Sequence, residues 1–131
     1  MTGGLILPTQ LPTAAGWALR DYAEVTGQSG PATAAGIATL ELAQLDGDEM
    51  WLIDHAVAAC TSAGPTELRW YASTVTDRAL LDGTSRGNFD VADWPAGLRI
   101  GPSHSLIARW TGATPGAVGT LALQLRVLRR T

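Results

Sequence analysis

The feature that most constrains the fold is a two-residue alternation of apolar and polar side chains near the end of the sequence. The apolar series is Leu121, Leu123, Leu125 and Val127, and the residues between them are Thr120, Ala122, Gln124 and Arg126. Successive side chains of a β-strand point to opposite faces, so this alternation predicts a strand with one buried face. Weaker forms of the pattern recur at residues 38–43, 50–60, 67–72, 98–100 and 105–110.

Residues that favour turns separate these segments. Asp46-Gly47 predicts a hairpin after the first of them, and clusters of turn-forming residues follow at 61–65, 101–102 and 111–116. No window longer than ten residues shows sustained helical periodicity. The one ambiguous stretch, Trp17–Val25, is interpreted as a strand.

Seven or eight short strands joined by such turns are typical of an antiparallel β-sandwich. A jelly roll is the first expectation for residues 17–131, and an immunoglobulin-like topology is the alternative. A chain of 131 residues falls in the usual range of about 100–200 residues for one domain. The sequence therefore predicts one all-β sandwich domain preceded by a short segment of different character.

That segment, residues 1–16, combines residues that break regular structure with apolar ones. Pro8 and Pro12 each fix φ and remove a backbone donor. The large apolar side chains of the segment are Leu5, Ile6, Leu7 and Leu11. We expect an extended N-terminal arm that lays these four side chains on another protein surface. The alternatives are a frayed terminus or an edge strand of the same domain.

The middle of the sequence, Thr76–Pro95, lacks regular alternation and is predicted to be mostly a long ordered loop. Its oxygen-bearing side chains include Asp82, Asn88, Asp90 and Asp93. Clustered oxygen ligands can bind calcium, but aspartate and asparagine also favour turns because they bond to nearby backbone groups. Turn formation is the preferred interpretation of this Asp82–Asp93 loop, and calcium binding is the alternative.

Composition argues against several classes of protein. Charged residues make up 16% of the chain and the net charge is −3, so a nucleic-acid-binding surface is not expected. The single cysteine, Cys60, cannot form an internal disulfide. The first residues lack the basic and apolar regions of a signal peptide, and no apolar stretch reaches the length of about 18 residues that a membrane span needs.

Several runs of residues resemble small virion proteins of tailed phages. The runs are 38–42, 47–57, 60–66, 81–93 and 106–120, which together cover most of 38–127. All nine basic residues are arginine, a bias typical of GC-rich genomes such as those of actinobacteria and their phages. The resemblance implies a structural role in the virion, as a capsid decoration, minor capsid or tail-associated protein.

Few residues could carry out catalysis. Alternation places Trp51, Ile53, Val57 and Ala59 on one face of their predicted strand, and His55 falls on the same face. His104 follows a proline turn. Cys60, at the end of a strand, is expected to be a buried thiol. A cysteine nucleophile would need one of these histidines within hydrogen-bonding distance. We therefore predict no enzymatic activity, no metal site and no cofactor.

Five tryptophans are many for a chain of this length. Trp51, Trp70 and Trp110 follow the inward series and are predicted to be core residues. Trp94 precedes Pro95 in the predicted loop, and we expect it to be an anchor, either in the end of the sandwich or on a neighbouring subunit. Stacking on a sugar is the weaker alternative for Trp94.

These observations lead to three hypotheses. The first is a virion structural protein that binds the major capsid protein or other virion proteins and further copies of itself, with a trimer favoured. Its predicted partner-binding residues are Leu5, Ile6, Leu7, Leu11 and Trp94. The second is a tail-associated receptor- or glycan-binding module, which requires Trp94 or Tyr71 in an exposed groove. The third is a small enzyme, which requires His55, His104 or Cys60 to converge in a pocket.

Overall fold

The computed structural model of the chain describes residues 16–131, which form two antiparallel β-sheets. The strands are β1 (Trp17–Gln28), β2 (Ala38–Ala43), β3 (Glu49–Cys60), β4 (Glu67–Ala72), β5 (Leu80–Thr84), β6 (Phe89–Ile100), β7 (Ser105–Thr111) and β8 (Gly119–Arg130). One short 3₁₀ helix, Asp77–Ala79, precedes β5. No helix within 16–131 has the length and apolar character needed to cross a membrane. The arm candidates Leu5, Ile6, Leu7 and Leu11 lie outside the described residues.

The strand order identifies the sandwich as a jelly roll. The first sheet has the order β1-β8-β3-β6, and the second sheet has the order β2-β7-β4-β5. All neighbouring strands are antiparallel. Except for β4 and β5, strands that follow each other along the chain lie in opposite sheets, as in the eight-stranded double Greek key of jelly rolls. This order confirms the expected fold and excludes the immunoglobulin-like alternative.

The turn at Asp46-Gly47 does not close a hairpin. β2 belongs to the second sheet and β3 to the first, so this turn carries the chain from one sheet to the other. The buried Gln44 side chain holds the turn: its Oε1 accepts the Asp46 N–H at 2.6 Å, and its Nε2 donates to the Asp46 carbonyl at 3.0 Å. The hairpin prediction is wrong because turn-forming residues specify a change of direction, not which strands pair afterwards.

The prediction of a long loop over Thr76–Pro95 is also wrong. Most of this segment forms β5, at one edge of the second sheet, and the first half of β6, at one edge of the first sheet. Among the described residues, each of these strands pairs on one side only. Much of their surface therefore stays exposed and tolerates polar residues, so apolar alternation is weak.

The core lies between the two sheets and contains the apolar series that defines the last strand. Its β8 members are Leu121, Leu123, Leu125 and Val127, all of them buried. Trp110 is fully buried, and its indole Nε1 donates to the Gly87 carbonyl at 2.9 Å. Trp70 is buried and Trp51 is half-buried against the same core, which confirms the prediction for all three tryptophans.

A β-bulge in β3 inverts the direction of its side chains. The register of β3 against both neighbouring strands shifts between Ile53 and His55. Ile53 faces the core before the bulge. Beyond the bulge the inward residues are Ala56, Ala58 and Cys60. His55, Val57 and Ala59 therefore lie on the outer face, and the sequence prediction that places them with Ile53 is wrong, because one extra residue reverses all later side chains of a strand.

A small apolar cluster covers one end of the outer face of the first sheet. Met50, Leu52 and Leu128 are buried there, and Trp17 packs against them. The Arg130 guanidinium lies 4.6 Å from the centre of the Trp17 ring, which is a cation–π distance. The protein's own side chains thus close this end of the outer face.

Candidate functional site

An exposed apolar patch lies at the other end of the outer face of the first sheet. We call it the outer patch, and its residues are Val57, Ala59, Phe89, Val91 and Ala122. Strand pairing sets these residues side by side, since Phe89 pairs with Ala59 and Val57 pairs with both Val91 and Ala122. Phe89 is 58% exposed and Val91 is 44% exposed. The sheet therefore presents contiguous apolar side chains to solvent at this end.

A shallow groove of about 430 Å³ continues the outer patch towards β1. Besides patch residues, it is lined by Thr26, Gly27, Gln28, Thr120 and Leu121. None of the lining residues is charged, and most have small side chains. The outer patch and the groove together form an uncharged surface that extends across all four strands of the first sheet.

Two polar side-chain pairs border the outer patch. His55 Nδ1 lies 2.6 Å from Asp93 Oδ1, across β3 and β6. In the next rows of the sheet, Arg126 donates to Asp54 through Nε and Nη2 at 3.0 and 2.6 Å. These pairs separate the outer patch from the buried cluster at the opposite end. An apolar centre with a polar border is the usual anatomy of a protein–protein interface.

The carboxylates of the predicted calcium loop lie in different environments. Asp82 and Asp90 line a cavity of about 230 Å³ beside Trp70, where the edges of the two sheets face each other. Thr84 Oγ1 donates to Asp90 Oδ2 at 2.6 Å, and the Val91 N–H donates to Asp90 Oδ1 at 2.8 Å. These two bonds, the Thr84 bond foremost, hold the pKa of Asp90 below its ordinary value because they stabilise the ionised carboxylate.

The other two oxygen-bearing residues of the Asp82–Asp93 segment, Asn88 and Asp93, do not lie with Asp82 and Asp90. Asp93 lies on the outer face with His55, and Asn88 Nδ2 donates to the Ser62 and Gly64 carbonyls at 3.3 and 2.9 Å. Across residues 16–131, no three histidine, cysteine, aspartate or glutamate side chains come together as metal ligands. The segment is therefore two strands and a tight turn, with its polar side chains used locally.

Trp94 is an anchor within its own domain. It lies on β6, half-buried against the core, with its ring centre 5.1 Å from that of Trp70 and the two planes inclined by 60°. Tilted aromatic pairs at this separation add to the energy of burial. Of the two anchor positions expected for Trp94, the structure contains the one inside the sandwich. A contact between Trp94 and a partner stays a prediction.

The aromatic side chains that reach solvent differ from those expected. Tyr71 is 8% exposed, and the Trp94 ring packs on Trp70, so neither offers much open surface for stacking. Tyr22 and Phe89 are exposed instead, at 68% and 58%. Sequence reasoning missed Phe89 because its segment has no clear period, and missed Tyr22 because β1 is exposed on both sides of much of its length.

The three residues considered for catalysis point in different directions. Cys60 is buried on the inner side of β3. His55 lies on the outer face, bonded to Asp93. His104 is exposed in the turn before β7, where its backbone N–H donates to the Gly101 carbonyl at 3.2 Å. The first sheet itself separates the Cys60 thiol from the His55 imidazole.

The outer face of the second sheet carries two arginines side by side. Arg69 of β4 and Arg109 of β7 are direct cross-strand partners. Arg69 Nε pairs with Glu67 at 2.9 Å, whereas Arg109 Nε is buried without a hydrogen-bond partner among the described residues. With Tyr71 and Thr111, these residues line a groove of about 240 Å³. This face is therefore charged where the outer patch is apolar.

Comparisons with known proteins support the fold. No protein-family model and no curated protein matches the sequence. Among solved structures, the chain is similar to a chain in the capsid of Helicobacter pylori bacteriophage KHP30, with a TM-score of 0.54. The sequence identity is 7%, and the match covers 84% of this chain and 90% of that one. At this identity the likeness shows a common fold alone.

Two further similar structures have TM-scores below 0.5, so they support no conclusion about this chain. One is the virus-like particle of the extra small virus of the prawn Macrobrachium rosenbergii, with a TM-score of 0.40, 13% identity and coverage of 85% of this chain and 81% of that one. The other is PliG of Aeromonas hydrophila, a periplasmic inhibitor of g-type lysozyme, with a TM-score of 0.39, 10% identity and coverage of 79% and 85%.

Proposed function

We propose that this protein is a structural component of a phage particle, a capsid decoration or minor capsid subunit that binds the particle through the outer patch. The observation that carries the proposal is the exposure of Phe89 and Val91 on the outer face of the first sheet. The fold is one that a phage capsid chain also has. The resemblance of the sequence to small virion proteins of tailed phages points in the same direction.

The rigidity of the outer patch supports this role. Single exposed apolar side chains are common, but contiguous ones beside an uncharged groove mark interaction sites. The strands β3, β6 and β8 that carry the patch pack their other face on the core. Binding therefore orders little backbone, which favours repeated attachment to the equivalent positions of a symmetric lattice.

On this proposal the protein is located in the virion. Its partners are the major capsid protein or another virion protein, together with further copies of itself. The predicted trimer, the attachment of the N-terminal arm through Leu5, Ile6, Leu7 and Leu11, and the origin in an actinobacterial phage belong to the same proposal. The net charge of −3 supports it in part, because weakly charged subunits repel one another little.

Binding to phage shells that lack the protein tests this role. We expect the wild-type protein to sediment with such shells. The double variant Phe89→Ser, Val91→Ser should bind at least about tenfold more weakly, since burial of each apolar side chain contributes about 1.5–3 kcal/mol. Leu45→Ser is the matched control, because Leu45 is 85% exposed but lies in the turn at the far end of β3.

The outcomes separate the proposed role from its alternative. Failure of the wild-type protein to bind any shell component overturns the proposal. If Leu45→Ser loses as much binding as the double variant, the outer patch is not the surface that binds the shell. Mass spectrometry of purified virions then counts copies. Many copies per particle support a decoration protein, whereas a few copies support the tail-associated receptor- or glycan-binding module.

A further inference from the structure

The four edge strands of the two sheets differ in how well they are protected from other chains. β2 and β5 are short, with six and five residues. β6 is longer but contains Pro95 and Gly97. Short length and proline are usual means by which edge strands avoid pairing with another chain, and glycine weakens a strand. β1 has twelve residues and no proline, and beyond the bulge between Leu19 and Asp21 its register is regular to Gln28. Among residues 16–131 it is therefore the longest regular edge that is open to pairing.

The backbone hydrogen bonds show which residues of β1 face away from the sheet. The Ser29 N–H donates to the Gly119 carbonyl at 2.8 Å, and the register back to Asp21 is regular. Odd-numbered residues of this stretch therefore direct their backbone groups to β8, and even-numbered ones direct theirs outward. The outward residues are Tyr22, Glu24, Thr26 and Gln28. Asp21 Oδ1 accepts the Tyr22 N–H at 2.8 Å.

Glu24, Thr26 and Gln28 thus present a free edge. Within residues 16–131, β1 pairs with β8 alone, so the outward N–H and carbonyl groups of these three residues have no strand partner. Such a row of donors and acceptors is a template for one more antiparallel strand.

We propose that β1 pairs with β1 of a second copy of this chain, antiparallel about a two-fold axis at Val25. The two first sheets then join into one sheet of eight strands. In this register Glu24 and Thr26 of the two copies exchange both of their backbone hydrogen bonds, and Ala23 lies opposite Gly27. Moving the axis to Glu24 would set two carboxylates directly opposite each other, which destabilises a sheet.

A second copy suits this edge because the strand is complementary to itself in that register. A two-fold contact uses the same surface on both subunits, so one sequence must satisfy both sides. The pairing also bears on the outer patch, since its groove reaches the edge at Thr26 and Gln28. Two copies joined at β1 would present their grooves as one continuous surface across the axis.

The inference rests on the edge of β1 and not on the proposed role in a particle. It is compatible with the predicted trimer, because a threefold contact elsewhere on the surface can coexist with a two-fold contact at β1. The two proposals also fail separately: the mass of the purified protein tests the pairing, whereas binding to shells tests the particle role.

Light scattering on the full chain after size exclusion tests the pairing. We expect a mass that is an even multiple of the 13.7 kDa chain. Thr26→Pro removes an outward N–H and leaves the bonds to β8 in place, so this variant should have half the wild-type mass and an unchanged circular dichroism spectrum. Thr26→Val, the matched control, keeps the N–H and should keep the mass. Equal masses for wild type and Thr26→Pro overturn the pairing.

A disulfide at the axis gives an independent test should Thr26→Pro fail to fold. Val25 forms a non-hydrogen-bonded pair with its own copy, which places the two Cα atoms about 4.5 Å apart, within disulfide range. Val25→Cys in a Cys60→Ala background should form a covalent dimer on oxidation. Thr39→Cys in the same background is the control, because Thr39 is exposed on β2 in the other sheet. No cross-linking above the control overturns the pairing.

Discussion

Arg126 of β8 binds Asp54 of β3 through two atoms of its guanidinium, with Nε 3.0 Å from Oδ2 and Nη2 2.6 Å from Oδ1. Asp54 is the residue that the register of β3 skips at its bulge. The Arg126 side chain is only 14% exposed. The extra residue of the bulge thus supplies the carboxylate that neutralises a largely buried cation.

Arg126→Met should lower the free energy of unfolding by about 1–3 kcal/mol, because it leaves the half-buried Asp54 carboxylate without its partner. Urea unfolding measures the loss. Arg69→Met is the control, since Arg69 and Glu67 are both about half-exposed and such pairs contribute about 0–1 kcal/mol. A loss in Arg126→Met no larger than in the control would contradict this account.

Gly119→Ala should destabilise the fold because it places a methyl group against the largest core residue. A Cβ at Gly119 would lie 2.5 Å from atoms of the fully buried Trp110 ring. Overpacking of this kind costs about 1–3 kcal/mol. Gly64→Ala is the matched control, since a Cβ there meets nothing within 4 Å and is expected to change stability by less than about 0.5 kcal/mol. Thermal unfolding of both variants decides, and equal melting temperatures would refute the argument.

The pKa of Asp90 should rise in Thr84→Val, because the variant removes the hydrogen bond that does most to lower it below 3.8. A carboxyl whose folded-state pKa is lowered stabilises the fold above its unfolded pKa, and that contribution disappears as the pH falls through the folded pKa. The variant should therefore lose less stability on acidification than the wild type. NMR titration of the Asp90 side chain measures the shift. An unchanged pKa would contradict the claim that the Thr84 hydrogen bond lowers the pKa of Asp90.

Arg109→Met should leave the free energy of unfolding unchanged or raise it. The substitution removes a buried Nε that has no hydrogen-bond partner among the described residues. It also removes the positive charge that lies directly across from Arg69, so two like charges no longer face each other. Methionine keeps most of the apolar contact of the arginine stem. Urea unfolding checks the prediction, and a loss above about 1 kcal/mol would show that Arg109 stabilises the second sheet.

The two strands that sequence analysis predicted best, β7 and β8, lie in the middle of their sheets. β8 lies between β1 and β3, and β7 lies between β2 and β4, so their inward side chains are buried and must be apolar. β5 and β6 are edge strands, whose exposed surface tolerates Asp82 and Asp93. Their residues therefore resemble a loop when only periodicity is considered.

The candidate site could not be predicted because it depends on backbone geometry. Up to Ile53 the two-residue period of β3 is correct, and after the bulge it assigns Val57 and Ala59 to the wrong face. The composition of residues 53–55 does not predict a bulge. Phe89 was likewise assigned to a loop, so no apolar patch could be assembled from the sequence. The fold could thus be predicted from the alternation of side chains. The outer patch could not, because it depends on the register between β3 and its neighbouring strands.

The pairing of β1 with β8 has a consequence for the synthesis of this chain. Gln28 pairs with Thr120, and the rest of β1 pairs with residues still further along. Contacts between segments so distant in sequence close slowly, because the intervening loop must first lose its freedom. On the ribosome, β1 must wait for nearly a hundred residues before its neighbour emerges, with both of its edges unsatisfied. We therefore expect nascent chains of this protein to be most prone to aggregation in the interval before β8 leaves the exit tunnel.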